Sequence, residues 1–449
     1  MPVSRARAAA FDILLRVERE SSYASDLLHS ATYARLSTLD HSLATELVMG
    51  VLRWRSRLDD EIAIASSQPL TRLDLEILVA LRLALYQLRW LHRVPPRAAI
   101  HESVELVKRS RKRSAAAFVN AVLRKLSTTA SPTSTSQEDA ASVKAITSSL
   151  AHPHWLVERW ATQYGLPNAH AICKHNQSVP TTAVRLRATN AEQISQEEIT
   201  LVAGGLLASA RRVQSGDVTQ TEAFRTGDLI IQDEASQLVA ALVGHGSRIL
   251  DCCAAPGGKT LAIADRNPDA TITAVELHAH RARLLQELLL RHQENSAGRI
   301  EMLVADARQL PVSRSFDRVL ADVPCSGTGT LARNPEIKWR LTSADLTDLQ
   351  ARQIAILRSA LAHVAPRGHL IYSTCSLEKE ENEDVITRVL GDENSFLVLD
   401  CRSELERMKA AGELTWPDPS SLTRGPYLRT IPGIHPCDGF FAAVLERKS

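Results

Sequence analysis

The chain of 449 residues is 44% hydrophobic and 23% charged, with a formal net charge of +2, the profile of a globular protein with room for two to four domains. No apolar run approaches the roughly 18 residues a membrane span needs, and Arg5 and Arg7 precede no apolar signal core, so membrane contact is not expected and the cytoplasm is the expected compartment. Seven cysteines, without a C-x-x-C pair, argue against a disulfide framework and a zinc site; no metal is expected, and a cysteine that matters should act as a thiol.

Residues 1–127 carry 20 Lys and Arg against 13 Asp and Glu, and the remainder 33 against 38. That division fits a front end that touches a polyanion, and equally a solvated helical surface. Lys108, Arg109, Arg111, Lys112 and Arg113 form its dense cluster. Apolar residues recur at helical spacing, as in Ala9, Ile13, Leu14 and Val17, or Leu43, Leu47, Val51 and Leu52, which predicts an all-α bundle over 1–127. Pro95 and Pro96 part its third and fourth groups. From Ser127 the composition turns to Ser, Thr, Ala and Gln, which predicts a linker over 128–148. Residues 149–232 combine a helix over Leu156 to Tyr164 with strands near 182–187 and 229–232, which predicts a small α/β domain. Asp233 and Glu234 open a helix and read as caps. His152 and His154 lack a third metal partner.

Over 233–449, strands and helices alternate as in a parallel sheet covered on both faces, an α/β Rossmann-like domain. Arg248 to Thr260 reads as a buried strand, a glycine turn at Gly257 and Gly258, and a helix. It has neither the dinucleotide G-x-G-x-x-G nor phosphate-loop spacing. Further strands are predicted over 271–277, 300–305, 316–323 and 369–374, with Glu276, Asp306, Asp322 and Cys375 at or just past their carboxyl ends, where open sheets bind ligands. Glu276, about twenty residues past the glycine turn, is placed for ribose hydroxyls, and Asp306 suits the exocyclic amine of adenine. Cys325 and Cys375 would stand at neighbouring crevice positions, with Asp322 beside one of them. Thiolates are strong nucleophiles there. Glu380, Glu381 and Glu383 are expected in solvent, Cys401 and Cys437 as spectators, and 438–445 as a last strand.

Asp251 to Thr260, Ala321 to Gly327 and Ser373 to Asn382 resemble the motifs of RNA cytosine-5 methyltransferases. The front end is similar to the NusB-like RNA-binding domain in Leu47 to Trp54, Leu85 to Leu88, His101 to Glu105 and Phe118 to Arg124. Together with Asn334 to Trp339 it resembles the bacterial Sun/RsmB family that methylates small-subunit ribosomal RNA. The resemblance implies S-adenosylmethionine as methyl donor, with Cys253, Ala254, Ala255, Pro256, Gly257, Gly258 and Lys259 around its methionine part, Glu276 at the ribose and Asp306 at the adenine. It implies Cys375 as the nucleophile that adds to carbon 6 of cytosine, Cys325 as the thiol that helps the carbon 5 proton leave, and Asp322 as the acid at the pyrimidine and donor. The implied substrate is unstacked 16S rRNA before subunit assembly is complete, met by a monomer. A methyltransferase for tRNA or DNA, or a non-catalytic RNA-binding assembly factor, is the alternative.

Overall fold

The computed structural model describes residues 3–20, 22–33, 35–129, 142–187, 199–292, 299–391 and 393–449. They form two compact units, Met1–Val179 with Leu331–Arg340, and Pro180–Thr330 with Leu341–Ser449.

The first unit is helical. Six helices, Arg5–Glu20, Ala24–Leu28, Thr38–Ser66, Leu75–Trp90, Pro96–Arg109 and Ala116–Thr128, bury one apolar cluster that includes Ile13, Leu47, Leu81 and Leu123. Their ends follow local chemistry: the Ser37 hydroxyl accepts from Asp40 N at 3.2 Å to start the longest, and Pro96 opens the fifth where it has no amide to lose. Three further helices, Val143–Ser149, His154–Tyr164 and Leu166–Asn176, pack on one another around the buried Ile146, Trp160 and Ile172. Two expectations change here. Residues 130–141 of the expected linker lie outside the described residues, but its last part is a helix, because Ser142 caps it by accepting from Ala145 N at 3.1 Å and Ile146 is fully buried. The stretch 149–232 does not stay together either. Its helices His154–Tyr164 and Leu166–Asn176 bury their apolar faces in the first unit, and its strands, with the short helix Glu222–Arg225, join the second.

The second unit holds two sheets. The smaller has order β2-β3-β1-β4, from β1 (Ala183–Leu186), β2 (Thr200–Ala203), β3 (Ala210–Ser215) and β4 (Leu229–Ile231). The larger has nine strands among the described residues: β5 (Arg248–Asp251), β6 (Thr271–Glu276), β7 (Arg299–Val304), β8 (Phe316–Asp322), β9 (Val364–Thr374), β10 (Phe396–Leu399), β11 (Thr423–Arg424), β12 (Tyr427–Arg429) and β13 (Phe441–Arg447). Its central order is β13-β9-β8-β5-β6-β7, parallel except for β13, and the chain reverses its direction of travel between β5 and β8. That reversal opens a crevice at the carboxyl ends of β5 and β8. The central strands read as apolar runs because helices cover both faces; Ile249, Leu250, Ile272, Val319, Leu320 and Leu370 are completely buried. No helix among the described residues is long and apolar enough to cross a membrane.

Candidate active site

The crevice is built from β5 outward. Asp251 ends β5 fully buried and accepts from the Thr260 hydroxyl at 2.7 Å, which closes the turn against the helix Gly258–Arg266. Burial is the largest influence on it and pushes its carboxyl up to about 6. Between these ends Cys253 is half-buried, Ala254 N bonds Val275 O at 2.9 Å, Ala255 O accepts from Arg281 at 3.2 Å, and the Ala255–Pro256 bond is cis. Gly257 has φ +113°, so a larger residue would be strained there, and its β-carbon would stand 2.5 Å from the Leu285 side chain, which would have to shift. Gly258 lies against the Gln232 side chain.

Two strand ends carry the expected acids. Glu276, at the end of β6, is buried, accepts from His278 N at 2.9 Å and lies 3.9 Å from Arg281. Asp306, past β7, is partly exposed; its carboxylate receives Arg308 Nε at 2.9 Å and Nη2 at 2.6 Å, which holds its carboxyl below the usual range.

The candidate reactive groups meet at β8 and β9. Asp322 ends β8 and takes Lys259 Nζ at 2.7 Å on one oxygen and the Ser373 hydroxyl at 2.6 Å on the other. Burial works to lower the Lys259 ammonium, but Asp322, and then Cys375 and Asp251, hold it above the usual lysine range. The same Nζ stands 5.0 Å from the Phe440 ring centre. The sulfurs of Cys325 and Cys375 are 3.3 Å apart. Their hydrogen bond, and then burial, hold the Cys325 thiol well above the usual cysteine range. Where the two loops meet, Gly329 N donates to Cys375 O at 2.9 Å, and a β-carbon on Gly329 would lie 2.1 Å from Gly439 O.

Several residues that shape the site escape the sequence reading. Glu381 is fully buried rather than solvated, with Ser326, Ser376 and Gln353 bonded to it, and Glu383 pairs with the buried Arg429 at 3.0 Å. Asn382 accepts from the Thr374 hydroxyl at 2.5 Å and donates to Ser376 O at 2.9 Å. The available signal is the repeated Cys-Ser pair, Cys325-Ser326 and Cys375-Ser376. Outside the crevice, Asp233 caps its helix, and Glu234 is a buried anchor that accepts from Gly205 N and Leu206 N and pairs with Arg212 at 2.9 Å.

A doubly wound sheet with a glycine turn after its first strand and acids on the next strand ends, preceded by a NusB-type helical bundle, is a Rossmann-like methyltransferase architecture. The bundle matches the NusB family over residues 4–128, and residues 241–446 match the family described as 16S rRNA methyltransferase RsmB/F. The chain belongs to this RsmB/F family. It is 32% identical over 466 aligned positions to a "Probable ribosomal RNA small subunit methyltransferase B" of Bacillus subtilis, covering 100% of both chains. It is 29% identical to "Ribosomal RNA small subunit methyltransferase B" of Vibrio cholerae, covering 99% of this chain and 98% of that one. The crystal structure of PH0851 shares the fold over 98% of both chains, with a TM-score of 0.79 at 22% identity.

Proposed function

We propose that this protein transfers a methyl group from S-adenosylmethionine to carbon 5 of a cytidine in small-subunit ribosomal RNA, through a covalent bond between Cys375 and the base. The observation that carries the reading is the pair of sulfurs, 3.3 Å apart, beside an ion-paired Asp322 and Lys259 at the switch point of the sheet. The names of the relatives support the choice of RNA. Exposed Arg109, Arg111 and Arg113, at the turn before the helix Ala116–Thr128, supply charge for its phosphates.

The donor fits the crevice chemically. Asp251, Glu276, Asp306 and Asp322 line successive strand ends, and acids there suit a nucleoside that bears an amine and a sulfonium. The turn 253–259 holds the methionine part, Glu276 the ribose and Asp306 the adenine. When bound, S-adenosylmethionine supplies an electrophilic methyl group.

Carbon 5 of cytosine is too weak a nucleophile by itself. The Cys375 thiolate adds to carbon 6, Asp322 and Lys259 stabilise the adduct at the pyrimidine edge, and carbon 5 becomes the electron-rich end of an enamine. Once bonded to carbon, the Cys375 sulfur carries no charge and is a poorer acceptor for the Cys325 thiol, which weakens its hold on that proton. Cys325 then gives that proton to solvent and, as a thiolate, takes the one on carbon 5. The bond from carbon 6 to sulfur breaks, the ring is restored and Cys375 leaves as a thiolate. Alanine at Cys375 is expected to abolish turnover. Alanine at Cys325 is expected to leave a protein–RNA species that survives a denaturing gel. Reversed outcomes exchange the roles, and normal methylation by the double variant defeats the reading. Bisulfite mapping of rRNA from cells lacking the protein tests the substrate: one 5-methylcytosine should disappear.

A further inference from the structure

We propose that Glu381 is a positioning residue that sets the separation of the two active-site sulfurs by binding, through one carboxyl group, the serine that follows each cysteine. The inference rests on the cysteine roles above and adds a residue outside them.

Four donors converge on this buried carboxyl. Oε1 accepts from Ser326 N at 2.8 Å and from Gln353 Nε2 at 2.9 Å. Oε2 accepts from the Ser326 hydroxyl at 2.5 Å and from the Ser376 hydroxyl, and the two hydroxyl oxygens are 3.0 Å apart. Ser326 and Ser376 lie on the loops that leave the neighbouring parallel strands β8 and β9. Glu381 therefore ties together the loops that carry the sulfurs. Gln353 extends the clamp to the residue before Cys325 by donating to Pro324 O at 3.0 Å.

The two loops meet this carboxyl unequally, and are also tied to each other where Gly329 N donates to Cys375 O and Leu377 N to the Thr328 hydroxyl, each at 2.9 Å. The Cys375 loop has other holds: Ser376 O accepts from Asn382 at 2.9 Å and from Arg429 at 3.0 Å. The Cys325 loop is held at Ser326 through Glu381 twice over, by its amide and its hydroxyl. A glutamate suits the position because a carboxylate is acceptor-only, whereas a glutamine would turn an amino group towards donors. The reaction needs the spacing. One sulfur must reach carbon 6 while the other reaches the proton on adjacent carbon 5, and a misplacement of about 1 Å costs on the order of 100-fold in rate.

The test uses the full chain, an unmodified small-subunit rRNA transcript and methyl-labelled S-adenosylmethionine, reading methyl incorporation and the covalent species on a denaturing gel. Ser326→Ala loosens the Cys325 loop, so turnover should fall about tenfold while the covalent species accumulates above the parent level. Ser376→Ala loosens the nucleophile's loop, so turnover and covalent species should fall together, about tenfold. Glu381→Gln should lower kcat on the order of 100-fold with little change in KM for RNA. If Glu381→Gln does not fold, the opposite gel behaviour of the two serine variants still decides. A merely structural role would lower both readouts in proportion to folded protein for both serine variants, and that result overturns the clamp. Cys325→Ala is run alongside. If it traps RNA and Ser326→Ala does not, the clamp fails alone; if it traps nothing, the cysteine roles themselves fail.

Discussion

Asp251 sits fully buried at the end of β5 with its carboxyl pushed up to about 6, first by burial and then by the charge of Asp322, against the pull of the Thr260 hydroxyl, the Cys253 amide and Lys259. The folded protein therefore holds a proton at this site over a pH range, from about 4 to about 6, in which the unfolded chain has released it. Stability contributed here falls as pH rises through that window, and the cost, about 3 kcal/mol at most, is complete above it. Asp251→Asn keeps an acceptor for Thr260, gives up only the long 3.4 Å bond from Cys253 N, and removes the cost of ionisation. It should unfold at higher denaturant than the parent at pH 7, with the difference closing towards pH 4. A difference that stays constant on acidification would show that ionisation of Asp251 is not its cause. The glycine turn from strand to helix around this residue is readable in the sequence, but not the state of its acid, because burial on every side is a property of the assembled sheet.

At the scale of elements, buried parallel strands announce themselves as short apolar runs that end in a polar residue. The strand expected over 271–277 is β6, Thr271–Glu276, and that over 316–323 is β8, Phe316–Asp322. The acidic run of Glu378, Glu380, Glu381 and Glu383 misleads for the opposite reason: charge alone suggests solvent, and only a fold that delivers four donors to one carboxyl can bury Glu381. The segment Leu331–Arg340 hides its character in the same way. Glu336 accepts from Ala24 N at 2.8 Å, Trp339 Nε1 donates to Leu52 O at 2.6 Å, and Lys338 is buried with Nζ 3.0 Å from Arg53 O. Burial holds the Lys338 ammonium well below the usual lysine range, so the unfolded chain binds this proton more readily. The cost to stability is present at neutral pH, shrinks as pH rises towards the unfolded value, about 10.4, and is gone above it. Arg53 O keeps a second donor, Gln177 Nε2 at 3.0 Å, when the amine is removed. Lys338→Met should therefore stabilise the protein in urea by about 1–3 kcal/mol at pH 7 and by less at pH 10. A loss of stability at pH 7 would mean that the amine is needed there.

The whole molecule is legible in its order of parts and less so in its seams. Helical periodicity marks the bundle, and alternating strands and helices mark the methyltransferase sheet, since each pattern is local. Where the stretch 149–232 divides is not local. Helices such as His154–Tyr164 and strands such as β1 follow whichever core covers their apolar faces. Nor does a reading along the chain reveal that Leu331–Arg340 completes a unit whose other residues end at Val179.

That discontinuity makes the backbone pass from one unit to the other three times, after Val179, Thr330 and Arg340. One scission at the first passage therefore yields two polypeptides without parting them, since the later piece still threads its ten-residue segment through the earlier one. With a protease recognition sequence inserted after Val179, the cleaved halves should co-elute on a sizing column and come apart only in denaturant. Halves that drift apart in plain buffer would mean that Glu336, Lys338 and Trp339 grip their hosts too weakly to stand in for a severed peptide bond.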